Sequence, residues 1–125
     1  MGLLQVAQKV TDLERAAAWY GDLLGAEPVA EFDPPGLIFF DLDGVRLLLD
    51  RNGDGSRLYL EVDDVEMTVG RLRSNGSRVV SGPHMTFRHE DGVLGPAGHE
   101  EWQAFVEDSE GNAVGLVEHR VMPPG

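Results

Sequence analysis

With 125 residues, the chain has room for one domain, or for two small modules that share a core. Its 42% apolar and 26% charged content is ordinary for a globular protein, and a net charge of −12 with a pI near 4.5 argues against nucleic-acid or anionic-membrane partners, which would repel it. The lack of cysteine excludes disulfides, thiolate metal sites and a cysteine nucleophile; with no basic leader and no apolar run of membrane length, the expectation is a soluble cytoplasmic protein.

Leu3 to Val10 reads as a strand. Asp12 is a helix N-cap, and Leu13, Ala16, Ala17, Tyr20, Leu23 and Leu24 fall on one helical face. Gly25 sits where a helix C′ residue belongs. Ala26 to Phe32 looks extended, and Asp33-Pro-Pro-Gly36 is a turn. Leu37 to Leu42 and Val45 to Asp50 form a hairpin across an acidic-Gly turn. Phe39 and Phe40 are adjacent in it, so they point to opposite faces. Arg51 to Ser56 is polar and Gly-rich.

The second half restarts the pattern. Arg57 to Val62 alternates as a strand, and Asp64 caps a helix whose inner face is Val65, Thr68, Val69 and Leu72. Ser77 to Val80 is short and extended, and Gly82-Pro83 turns the chain into a strand from Met85 to His89. Asp91 to Gly98 is a Gly- and Pro-rich loop suited to gating. Trp102 to Glu107 and Ala113 to His119 close a hairpin through Asp108-Ser-Glu-Gly-Asn112, where Gly111 and Asn112 tolerate positive φ. The helix caps Asp12 and Asp64 lie 52 residues apart, and the hairpin glycines Gly44 and Gly111 lie 67 apart. The difference falls mostly in the loop 91–98. The fold class is therefore α+β: two β-α-β-β-β modules, one over 1–52, a linker over 53–55, a second over 56–121 and a tail over 122–125. The open sheets of such modules need covering, so a homodimer is expected.

Several short motifs keep one order along nearly the whole chain. They are Val10-Thr-Asp-Leu-Glu-Arg-Ala17, Trp19-Tyr20, Leu24-Gly25, Val62-Asp-Asp-Val65 and Asp108-Ser-Glu-Gly-Asn112 with Leu116-Val-Glu118. In this the sequence resembles the vicinal oxygen chelate superfamily: glyoxalase I, extradiol dioxygenases, methylmalonyl-CoA epimerase and the fosfomycin- and bleomycin-resistance proteins. Ser109 replaces a proline usual in the last motif. The resemblance implies two modules in pseudo-twofold arrangement, lining a cleft. In metal-using members it also implies four ligands at equivalent strand positions.

Those positions fall on Gln5, Leu48, Arg57 and Gly115. Only Gln5 offers a donor, and the Arg57 cation repels a dication by a few kcal/mol, as an order of magnitude. Asp50, Glu61 and His119 lie two or four residues along the same strands. Two residues is about 6.6 Å, too far to complete a site around Gln5. The expectation is thus no catalytic metal and no cofactor. Alternation adds Ala7, Lys9, Arg46, Asp50, Tyr59, Glu61, Val117 and His119 to the same walls. His89 or His119 facing the cleft would be a base or a replacement ligand. Gln8 falls where an apolar residue is expected.

The first reading is a small-molecule binding protein. An acidic or polar aromatic ligand would lie against Arg57, with Tyr59 and Trp102 supplying contact area and Gln5, Leu48 and Gly115 lining the rest. The alternative is a metal-dependent lyase, epimerase or dioxygenase with displaced ligands. A third is a metal-free enzyme using Arg57, Tyr59, Glu61 or His89 in acid–base steps. Fold alone does not choose among them.

Overall fold

The computed structural model describes residues 1–107, 109 and 112–124. Ten elements follow in order: β1 (Gly2–Lys9), α1 (Leu13–Leu24), β2 (Ala30–Phe32), β3 (Leu37–Leu42), β4 (Val45–Asp50), β5 (Arg57–Glu61), α2 (Val65–Ser74), β6 (Val79–His89), β7 (His99–Glu107) and β8 (Ala113–Val121). This is the twice-repeated β-α-β-β-β pattern. The chain divides into two compact units. The N-terminal unit is 5–57; the C-terminal unit is 58–125 together with the first four residues. Among the described residues, no helix is long and apolar enough to cross a membrane.

In the N-terminal unit the strand order is β2-β3-β4-β1. β3 and β4 are antiparallel, with Phe40 opposite Leu47, and β4 runs parallel to β1. α1 starts where Asp12 Oδ1 accepts from the Arg15 amide at 3.0 Å, and it stops at Gly25, whose φ of 64° is the left-handed geometry a C′ glycine supplies cheaply. Its apolar stripe packs on Ile38, Phe40, Leu47 and Leu49 through Leu13, Ala16, Ala17, Tyr20 and Leu24. Leu23, expected on that stripe, is exposed. Phe40 and Phe39 take opposite faces as expected, Phe39 beneath the Arg46 guanidinium. Gln8, an unlikely residue for its strand position, is accounted for: its side-chain oxygen accepts from the Ser56 hydroxyl.

A clamp fixes the 33–36 turn. Arg51 donates to both carboxylate oxygens of Asp33 and to the Pro35 carbonyl. The hydrogen bond from Arg51 holds the Asp33 carboxyl below the ordinary carboxylate range, against a smaller opposing effect of burial. A carboxyl lowered in the folded state stabilises above its unfolded pKa, and that contribution is lost as pH falls through the folded value. Carbon-detected titration should therefore find Asp33 below the ordinary aspartate value, and Arg51→Gln should raise it. An Asp33 unmoved by Arg51→Gln would remove the clamp.

In the C-terminal unit the order is β5-β8-β7-β6. β5 runs parallel to β8, and the other pairs are antiparallel. α2 is capped twice: Asp64 Oδ1 accepts from Met67 N, and Glu118 Oε1 from Val65 N, each at 2.9 Å. Arg71 and Arg73 in its last turn complement the helix dipole. α2 covers Val62, Ala104, Val106 and Leu116 with Val65 and Val69, and Leu60, Leu72, Trp102 and Val114 extend this core.

Two expectations change here. Gly82-Pro83 does not turn the chain. β6 runs unbroken from Val79 to His89, and its register to β7 shifts at three places. β6 ends the strand order, and an edge strand with bulges accepts a proline that lacks an N–H. β7 begins at His99, three residues before the expected start at Trp102. The closing turn's Asp108, Glu110 and Gly111 lie outside the described residues.

Candidate functional site

Strand alternation in the C-terminal unit sends Leu60, Trp102, Ala104, Val106, Val114 and Leu116 toward α2. The residues between them form the opposite face. There Tyr59 lies over Gly115, opposite it in the register. A Cβ on Gly115 would stand 2.6 Å from Tyr59 Cδ2 and 3.1 Å from Phe105 Cε1. The two rings meet edge to face, centroids 5.7 Å apart. Tyr59 is thereby buried beside an aromatic neighbour, while Phe105 is half-buried.

Beyond this aromatic patch the same face turns polar. Glu101 and His119 are opposed across the β7–β8 pair. Glu101 Oε1 lies 2.9 Å from His89 Nε2 and 3.1 Å from His119 Nε2. Its other oxygen accepts from Gln103 Nε2 at 2.6 Å. His119 Nδ1 in turn lies 3.1 Å from Glu61 Oε2. The chain Glu61–His119–Glu101–His89 thus runs from a half-exposed carboxylate (51%) to an imidazole that is 2% exposed. Loop 91–98 closes over its inner end. Gly95 packs on the His89 ring so closely that a Cβ would stand 2.6 Å from Cε1. Gly98 N donates to the His89 carbonyl at 2.7 Å.

A buried carboxylate is costly unless its oxygens are satisfied. Glu101 meets that demand with three nitrogens, and the burial of Glu101 and His89 marks the inner end of the chain as a built arrangement. His119 is bracketed by two carboxylates. A neutral imidazole donates from one nitrogen, so either a second proton or another cation must lie between His119 and one of these oxygens.

The residues expected from sequence divide. Tyr59 and Gly115 lie together on the face just described. Gln5 and Leu48 are buried in the N-terminal unit, on its face away from α1, with Gln5 opposite Arg46 in the register. Gln5 Oε1 is buried without a hydrogen-bond partner among the described residues. Arg57, the first residue of β5, reaches Asp54 at 3.9 Å. Trp102 is on the other face from Tyr59. Its ring joins the α2 core, Arg120 stacks on it at 4.1 Å, and Nε1 donates to Glu100. It therefore does not share a wall with Tyr59, because alternation sets residue 102 in phase with Ala104 and Val106.

The four positions that the resemblance implies for a metal, Gln5, Leu48, Arg57 and Gly115, do not supply a set of donor side chains. Leu48 and Gly115 have no donor atom, and the Tyr59 ring covers Gly115. Glu101 is the functional candidate that sequence reasoning missed. Its signal was present: counting back by two from Phe105 and Gln103 reaches 101, once the strand is allowed to begin before Trp102.

Residues 5–117 match the family of the glyoxalase-like domain. A glyoxylase-like domain-containing protein of Didymella fabae is 32% identical over 60% of this chain and 72% of its own length. Among solved structures, a glyoxalase/bleomycin resistance protein/dioxygenase superfamily member from Vibrio splendidus 12B01 superposes with a TM-score of 0.72 at 17% identity, covering 94% of this chain and 97% of its own. A Streptomyces coelicolor methylmalonyl-CoA epimerase in complex with 2-nitronate-propionyl-CoA gives 0.67 at 18%, covering 99% of each. The Mn(II)-bound glyoxalase from Novosphingobium aromaticivorans gives 0.62 at 18%, over 98% of this chain and 40% of that one. The structural likenesses show the glyoxalase/bleomycin resistance-like fold.

Proposed function

Because the chain belongs to the glyoxalase-like domain family, we propose that it binds a small organic molecule on the face of strands β5, β8 and β7 turned away from α2. The carrying observation is the meeting of two chemistries on that face. Half-buried Phe105, with the Tyr59 ring packed edge to face against it, offers an apolar wall, and Gln103, His119 and Glu61 offer polar atoms beside it. Such a surface suits a compound with an apolar body and an oxygen-bearing end. The epimerase and glyoxalase named among its structural likenesses favour a carbonyl compound. Glu61, half-exposed and hydrogen-bonded to His119, is the base this reading assigns, taking a proton from carbon next to the carbonyl.

A panel of small carboxylates and carbonyl compounds, followed by chemical-shift mapping, tests binding. Shifts should cluster at Tyr59, Gln103 and Phe105, and amides in 91–98 should exchange more slowly with ligand bound. Tyr59→Ala should weaken binding by about tenfold, the equivalent of about 1.4 kcal/mol of lost contact. In D2O, Glu61→Gln should slow deuterium uptake at the ligand's α-carbon by about 100-fold or more, while changing affinity little. If both variants behave as the parent, the ligand face lies elsewhere. A homodimer belongs to the same proposal, supported by exposed Val80 and Met85 on edge strand β6. Light scattering from a monomer at micromolar concentration would remove it.

A further inference from the structure

We infer that His89, Glu101 and His119 bind one divalent first-row transition-metal ion, held wholly by strands β6, β7 and β8. One ligand atom from each residue lies within 4.8 Å of the others. Two of the three edges, Glu101 Oε1 to each Nε2, are 2.9 and 3.1 Å. Ligands in cis positions around an ion with bonds of about 2.1 Å stand about 3.0 Å apart. These two edges already stand at the spacing such coordination requires.

The groups behind the ligands favour the same conclusion. Ligating histidines commonly give their other ring nitrogen to a carboxylate, which fixes the tautomer and turns the lone pair to the metal. Glu61 Oε2 stands 3.1 Å from His119 Nδ1 in that role. With the Nδ1 proton on that bond, Nε2 presents a lone pair to a carboxylate oxygen, and a cation between them resolves the repulsion. Gln103 orients Glu101 from its second oxygen. The Gly95 backbone holds the His89 ring, where a side chain at 95 would displace it.

Two imidazoles and one carboxylate, without thiolate, select for Mn(II), Fe(II), Co(II), Ni(II) or Zn(II), over Mg²⁺ and Ca²⁺, which prefer all-oxygen shells. Such a site differs from the four positions expected from the family resemblance, Gln5, Leu48, Arg57 and Gly115, and needs no residue of the N-terminal unit. It deepens the ligand-binding reading above, because it shares a face with it, yet metal binding itself requires no organic ligand.

The test uses tag-free, ¹⁵N-labelled full-length protein, stripped with chelator and desalted. Zn²⁺ is titrated in with no organic compound present, and the imidazole nitrogens of all four histidines are followed. His89 and His119 should shift together and saturate at one equivalent, while His84 and His99 stay in place. Failure of either ring to shift, or equal shifts at all four, overturns the site. This arm needs no substitution, so misfolded variants do not obscure it. A second arm measures Co²⁺ affinity. Glu101→Gln should weaken it by about 100-fold, and Gln103→Leu by about tenfold, the lower end for a lost ligand-orienting contact. His84→Ala should leave it unchanged. Parent-like affinity in Glu101→Gln overturns the proposal. Metal failure with organic-ligand binding intact, or the reverse, separates this inference from the reading it deepens.

Discussion

Glu101→Ala is expected to lower the unfolding free energy by about 3 kcal/mol, measured by urea denaturation of metal-stripped protein. The carboxylate is 2% exposed and meets three nitrogens, those of His89, His119 and Gln103. Its removal opens a void and leaves those nitrogens without their partner. Gln103 and His119 sit near enough to solvent to recover water. His89, beneath Gly95 and 2% exposed, does not. One orphaned buried donor costs roughly 1–3 kcal/mol, and the lost packing adds to it. Glu101→Gln keeps the volume and one acceptor oxygen, so about 1 kcal/mol is expected there. If Glu101→Ala came within 0.5 kcal/mol of the parent, an ordinary surface effect of about that size, the buried polar chain would not be a satisfied network.

Gly115→Val is expected to cost about 2 kcal/mol and to abolish ligand binding on the face it shares with Tyr59. The strain is steric: the first added carbon would meet Tyr59 Cδ2 at 2.6 Å and Phe105 Cε1 at 3.1 Å. Both rings must rotate away, and overpacking of this kind costs roughly 1–3 kcal/mol. The second site gives the diagnostic. In the Tyr59→Ala background the space beneath the ring is free, so Gly115→Val should cost about 1 kcal/mol less than in the parent. Strict additivity in this cycle, read by denaturation, would mean that Tyr59 does not rest on Gly115 in solution. The same contact shows what fills the room above a residue without a side chain: an aromatic ring from the neighbouring strand.

Helix ends and hairpins were legible because their signals are local. Asp12 and Gly25 bracket α1, Asp64 caps α2, and Asp43-Gly44 closes β3 onto β4, all within a few residues of the backbone they satisfy. The repeated order of those signals carried the two-module pattern and the family. Faces were legible where a strand alternates cleanly, as at Phe39 and Phe40. They were misread where an end was set late: starting β7 at Trp102 hid Glu101 and gave Trp102 a role on the wrong side of its strand.

What the sequence by itself determined is the α+β class and the β-α-β-β-β repeat, since caps, turns and strand alternation are local signals. The candidate site was decided by tertiary structure. Its residues are 12 and 18 apart in sequence from their shared partner Glu101, and Glu61 is 58 from His119. No local spacing encodes pairs so distant. The face that His89 takes could not be counted either. β6 shifts register three times before reaching it, and each irregularity resets the two-residue alternation on which such counting depends. Only the pairing of β6 with β7, and of β7 with β8, turns His89, Glu101 and His119 toward one another.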